Sequence, residues 1–377
     1  MIRYEIASGI QRMSARKCTR FEVLDALRGV AAISVVLLHM NNYLVGGPLM
    51  ESGYLAVDLF FIISGFVNSH ALSHMVEATG STQGFLRARL RRLYPLFALG
   101  LALGFSIELA KALAAAEPGR AATKAISELA VSMLAVPDFR ETMVVPLNPV
   151  FWSLILEALA YWLHGHVLWS IPAARLRIGV GIGLAGLVGI AFGMGSLDLG
   201  ANRETFALAA YRIAFGYAAG MLLYRLFQAG RLPRLGTGGA LIALSALAVF
   251  ASPVAPALRP VYDLIAVALI FPILVAAAAE TDLDGALRSP VLWAGRMSYA
   301  LYALHVPILF LVVFVIRITI GRSLAIAPDA MLCLAFMATL TLVTILASGF
   351  NRRLTAAGGG IEPALAASRG VDPAGRS

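Results

Sequence analysis

The sequence predicts an all-α fold, a polytopic membrane bundle of about ten transmembrane helices with both termini on the cytoplasmic side. Three observations predict it. The 377 residues are 59% hydrophobic and only 14% charged, with mean hydropathy +0.82, where a soluble domain of this size carries about 25% charged residues. The apolar residues fall in blocks of about 20, the length that crosses a bilayer. Lysines and arginines gather in alternate connections between those blocks, as cytoplasmic loops require.

The elements follow in order. A basic arm, residues 1–21, carries Arg3, Arg12, Arg16, Lys17 and Arg20 and leads straight into a full-length span, unlike a signal peptide. Spans are expected at 22–44, 55–75, 92–114, 147–169, 176–195, 205–227, 238–258, 261–280, 292–316 and 325–349, within a membrane domain of 22–350. The connection 115–146 contains AISELAVSML, too short to cross and expected at the interface or as a re-entrant piece. Arg87, Arg89, Arg91 and Arg92 mark the second connection, Arg175 and Arg177 the fourth, and Arg225, Arg231 and Arg234 the sixth. Arg352 and Arg353 follow the last span, whereas GGPLMESG has no basic residue and SLDLGANRE one. The loops 115–146 and 317–324 fit this alternation less cleanly. The Gly/Ala/Pro-rich tail, 351–377, is expected to be disordered.

The net charge of +9 belongs mostly to this belt, which suits anionic lipid headgroups. Nucleic-acid binding is excluded, because no soluble basic face with aromatics is visible. Cys18 and Cys333 give no disulfide framework.

Several residues inside the apolar blocks are costly in lipid, and such residues mark functional sites. Arg28 and His39 lie eleven positions apart in one run, hence on one helix face roughly 16 Å apart. Taken singly, Arg28 also reads as an anchor snorkelling to the interface, and His39 as a histidine satisfied by a carbonyl. Asp58 enters the second span at the depth of His39, where it would hold the imidazole tautomer; the alternative is a helix cap. Ser64-Gly65 reads first as a close-packing pair. The segment RARLRRLYP serves orientation and could also bind an anionic phosphate.

Glu157 lies near the centre of the fourth span and needs a partner there. His305 lies at mid-depth in SYALYALHVPIL, and Pro307 is expected to kink that helix and free a carbonyl near it. His164 and His166 face different ways, and His70 and His74 lack a third ligand, so no metal site is expected. His39, His305, Glu157, Asp58 and Arg28 are expected to share one polar cavity.

In order, LDALRGVAAISVVLLH, GYLAVDLFFIISGF, RARLRRLYP, FWSLILE and SYALYALHVPIL resemble the motifs of the membrane acyltransferase-3 family. These are bacterial O-acyltransferases that modify lipopolysaccharide, exopolysaccharide, Nod factor or peptidoglycan. The resemblance runs from about residue 22 to 350. It implies that His39 is catalytic, as general base on the acceptor hydroxyl or as a brief carrier of the acyl group, with Asp58 or Glu157 orienting it. Arg28, Arg89 and Arg92 would meet the phosphates of an acyl-CoA, acetyl-CoA foremost, which is a co-substrate and not a bound cofactor. The FFxxSG motif falls on Phe60, Phe61, Ser64 and Gly65, and WSL…E on Trp152, Ser153 and Glu157; His305 would bind the acceptor or relay a proton.

The implied acceptor is a hydroxyl of a cell-surface or exported glycan or lipid-linked sugar, and the implied location the bacterial inner membrane. Ala26 and Ala56 stand where glycine is usual, and Phe151 where asparagine is common, but no titratable group is lost. The SGNH hydrolase-like domain fused to some relatives has no counterpart, so a periplasmic partner or direct transfer is expected. The rival reading is a proton-coupled transporter or flippase, which uses the same residue types, although no inverted repeat is visible.

Overall fold

The computed structural model describes residues 21–44, 47, 49–233, 238–283, 288–319 and 328–356. Most of the basic arm, with Cys18, and the end of the tail lie outside them. The helices in chain order are α1 Glu22–Leu44, α2 Ala56–Thr79, α3 Gln83–Leu113, α4 Pro118–Met133, α5 Trp152–His166 and α6 Ala173–Met194. They continue with α7 Ala209–Gln228, α8 Gly239–Ala251, α9 Arg259–Ile265, α10 Phe271–Ala279, α11 Arg288–Thr319 and α12 Pro328–Ala356. Among the described residues there is no strand, only an isolated bridge between Met143 and Asn202.

Each expected span coincides with helix, but among the described residues six stretches are both long and apolar enough to cross a bilayer. They are Glu22–Leu44, Gly53–Thr79, Gln83–Leu113, Ala173–Met194, Pro256–Ala279 and Arg288–Val312. The expected fourth span is shortened to the 15 residues of α5. Its first residues form a separate 3₁₀ turn, Pro149–Phe151, because Pro149 lacks an N–H to extend a helix. α8 stops at Ala251, with Ser252 extended (ψ 119°), as the residue before a proline prefers. α3 starts nine residues earlier than expected, because the arginine-rich segment is built from good helix formers. The short connection helix is present as α4, with Ala125, Glu128 and Ser132 turned inward.

Local chemistry explains the remaining ends. Glu22 and Asp25 in the first turn of α1 complement the positive end of its dipole. α2 ends at Gly80 in the left-handed conformation (φ 68°), its N–H closing onto the Val76 carbonyl. A π turn, Ala266–Ile270, joins α9 to α10 just ahead of Pro272. In α11, Pro307 cannot bond the Ala303 carbonyl, and Asn148 Nδ2 donates to that oxygen at 2.9 Å. The freed carbonyl thus ties the entrance of α5 to α11.

The core is built around α1, α2 and α11. α11 packs most extensively on α1, and α2 on α7. The apolar window of α11 is 78% buried and that of α6 only 28%. α6 shows Ile178, Ile182, Phe192 and Met194 to the outside, an arrangement that suits lipid and not water. The chain is a multi-pass helical membrane protein.

α2 and α7 meet backbone to backbone. A Cβ on Gly220 would overlap the Ile62 carbonyl, and one on Gly65 the Tyr217 carbonyl, the small-residue packing that membranes favour. Gly220→Val should therefore force the helices apart at about 1–3 kcal/mol, seen as a lower thermal unfolding midpoint in detergent. Gly189→Val on α6, with nothing within 4 Å of the new Cβ, should leave that midpoint in place.

Candidate active site

His39 and His305 are brought together from α1 and α11. Their ring centroids are 5.0 Å apart, and His305 Nε2 lies 3.3 Å from His39 Nδ1. Their protons follow from their neighbours, because carbonyl oxygens only accept. His305 Nδ1 is 2.9 Å from both the Leu301 and Tyr302 carbonyls, so it carries the hydrogen and Nε2 is bare. His39 Nδ1 is 2.9 Å from the Val35 carbonyl. It also carries its hydrogen, shared between that oxygen and His305 Nε2. This leaves the lone pair on His39 Nε2. His305 is fully buried while His39 is half-buried, next to the 42%-exposed Tyr43. The unprotonated nitrogen therefore belongs to the more accessible ring.

A second polar group lies toward the N-terminal end of α1. Arg28, Arg89 and Arg92 converge on a narrow cavity, open to solvent, with Ser64, Tyr161 and Tyr299 in its wall. Among the described residues none of the three guanidinium groups is in an ion pair. Three such cations around a cavity form an anion site. Glu157 finds its partner here: Ser64 Oγ donates to its Oε1, and Tyr161, one turn along α5, lines the same cavity. The Ser64-Gly65 pair divides its tasks, Gly65 packing helices and Ser64 holding the glutamate.

The single cavity expected from the sequence is thus divided, and Asp58 belongs to neither group. Arg212 of α7 binds both its oxygens, Nε to Oδ1 at 3.0 Å and Nη2 to Oδ2 at 2.6 Å. The same guanidinium donates to the Leu199 and Tyr54 carbonyls at 2.8 and 3.1 Å. It also lies 5.4 Å over the Trp152 ring. The expectation that Asp58 orients His39 is corrected: its oxygens are engaged by arginine, and His305 holds the imidazole instead. Trp152 joins this clamp, with Gly200 (φ 124°) pressed on its ring. The carboxylate whose charge reaches His39 is Asp198, exposed in the loop between α6 and α7.

Arg212 was missed by the sequence reading. Its signal was present, an arginine inside the apolar run FALAAYRIAFGYAAG with Asp58 as its natural counter-charge. Tyr302, whose hydroxyl donates to the Val150 carbonyl at 2.9 Å and contacts Ser153 Oγ at 2.6 Å, was also missed. Sequence does not reveal which tyrosine of an apolar helix turns inward.

The helical membrane bundle thus carries a histidine pair and, apart from it, a cavity walled by three arginines. The chain belongs to the acyltransferase-3 family, whose model, described as an acyltransferase domain, matches residues 21–348. It is 48% identical over 92 residues to protein 2 in the picA locus of Rhizobium radiobacter, covering 24% of this chain and 47% of that protein. It is 34% identical over 88 residues to the O-acetyltransferase OatA of Staphylococcus aureus, covering 22% of this chain and 14% of that protein. The chain thus spans less than half the length of these relatives. No solved structure matches.

Arg212→Gln should leave Asp58 buried without its counter-charge, at about 3–5 kcal/mol, read as lost folded yield and a lower unfolding midpoint. The double variant Asp58→Leu with Arg212→Met should recover most of that loss.

Proposed function

We propose that the chain is an integral-membrane O-acyltransferase that moves an acyl group, acetyl in the simplest case, from acyl-CoA to a hydroxyl of a surface or exported glycan. The observation that carries this reading is the lone pair on His39 Nε2, beside an anion cavity on the same helix. His39 Nε2 takes the proton of the acceptor hydroxyl as its oxygen attacks the thioester carbon. The carbon–sulfur bond breaks, and the departing thiolate takes the proton back from the imidazolium. Through that cycle the Val35 carbonyl and His305 Nε2 hold the Nδ1 hydrogen and stabilise the transient charge. His305 is a positioning residue in this scheme.

The donor's phosphates are placed at Arg28, Arg89 and Arg92, whose paired donors suit phosphate oxygens. Arg28 and His39 are roughly 16 Å apart along α1, a distance a pantetheine arm spans. The donor enters from the cytoplasm, ten spans cross the bacterial inner membrane, and both termini are cytoplasmic. The glycan reaches His39 from the other side. OatA, by its name an O-acetyltransferase, supports the reaction class, and the basic connections flanking α2, α3 and α7 support the orientation.

The test is thiol release from acetyl-CoA by purified protein with candidate glycans. His39→Ala should fold and insert normally and lose about 10²–10⁴-fold in rate; a wild-type rate would remove His39 from the chemistry. Arg28→Ala should raise the KM for the donor with little change in kcat, and an unchanged KM would remove Arg28 from donor binding.

A further inference from the structure

A second cavity opens at the end of the bundle that carries Arg28, Arg89 and Arg92. It is open at its mouth, and its wall includes Ser69, His164, Trp169, Met221, Arg225 and Gln228. Asn68 lines the first cavity and the adjacent Ser69 this one, so α2 separates the two.

His164 is the informative residue. It is fully buried, and its Nε2 has no hydrogen-bond partner among the described residues. Its Nδ1 lies 2.8 Å from the Tyr217 hydroxyl. A phenolic O–H is a stronger donor than a neutral imidazole N–H, and a bare imidazole nitrogen the better acceptor, so the phenolic hydrogen goes to His164 Nδ1. The histidine's own hydrogen then sits on Nε2, a buried donor without an acceptor, in the wall of a cavity. A structure rarely leaves such a donor unmatched without a ligand.

The other groups say what kind of ligand fits. Arg225 uses one Nη2 on the Ile171 carbonyl at 2.6 Å, leaving guanidinium hydrogens for a second acceptor. Arg175 and Arg177 are exposed at the start of α6, and Arg231 just beyond the end of α7, so the mouth is positive. Large apolar side chains are exposed around it as well, Val167 and Trp162 at 46% and Leu226 at 41%. Such a rim is suited to lipid. Trp169, half-buried, supplies the aromatic wall that tryptophan provides at membrane interfaces.

We propose that this cavity binds the phosphate-bearing headgroup of an anionic phospholipid. His164 Nε2–H and Arg225 donate to the phosphate, and the acyl chains leave over the apolar rim. Basic pockets between membrane helices take acidic headgroups in this way. The site needs neither acyl donor nor acceptor, so it stands apart from the transfer reaction.

The experiment uses the full chain, without acetyl-CoA or glycan, reconstituted in phosphatidylcholine bilayers containing phosphatidylglycerol. Retained lipids are counted by native mass spectrometry. The wild type should hold a phosphatidylglycerol that Arg225→Gln holds about tenfold less tightly, while Arg225→Lys keeps part of the affinity. Should Arg225→Gln fail to fold, Trp169→Leu reads the same loss. Equal retention by wild type and the folded variants would overturn the site. Stoichiometric displacement of the lipid by free CoA, with CoA binding weakened in the same variants, would assign the cavity to a soluble nucleotide and also overturn it.

Discussion

Asp58 and Arg212 form a buried ion pair on which much of the remaining geometry depends. In the bundle interior either charge alone would be strongly destabilising, so each requires the other. Both carboxylate oxygens are matched, and the remaining guanidinium donors go to the Leu199 and Tyr54 carbonyls. One side chain thereby fixes α7 against α2, the segment leading into α2, and the loop that carries Asp198. The Trp152 ring beneath it adds α5. The glycine contacts between α2 and α7 let the backbones approach close enough for the pair to form.

With Asp58 so engaged, the imidazole of His39 is set by other means. Backbone carbonyls one turn back along each helix fix the hydrogens on Nδ1 of both histidines. The packing of α1 on α11 then brings the bare nitrogen of His305 to His39. This arrangement holds a tautomer without bringing a charged carboxylate against the ring. Glu157 is held by Ser64, on the side where the arginines converge.

The positions of the helices were legible because apolar blocks and basic connections are properties of the chain itself. Their ends were less so, since Pro149 and Pro253 shorten α5 and α8 in ways a hydropathy block hides. Of the site, the residues themselves, His39, His305, Arg28, Arg89, Arg92 and Ser64, stand in motifs already conspicuous in sequence. The role of Asp58 did not, because depth in the membrane says nothing about the direction a side chain takes around its helix. Arg212 went unread among basic residues used only to orient the chain.

By itself the sequence determined a polytopic helical bundle, its costly intramembrane residues, and membership of the acyltransferase-3 family. Hydrophobic length and charge distribution act locally along the chain, and motifs are strings. The tertiary structure alone decided which polar groups meet: Asp58 with Arg212, Glu157 with Ser64, and His39 with His305. Those partnerships depend on helix rotation and on how closely backbones approach, and both are set by packing between segments far apart in the chain.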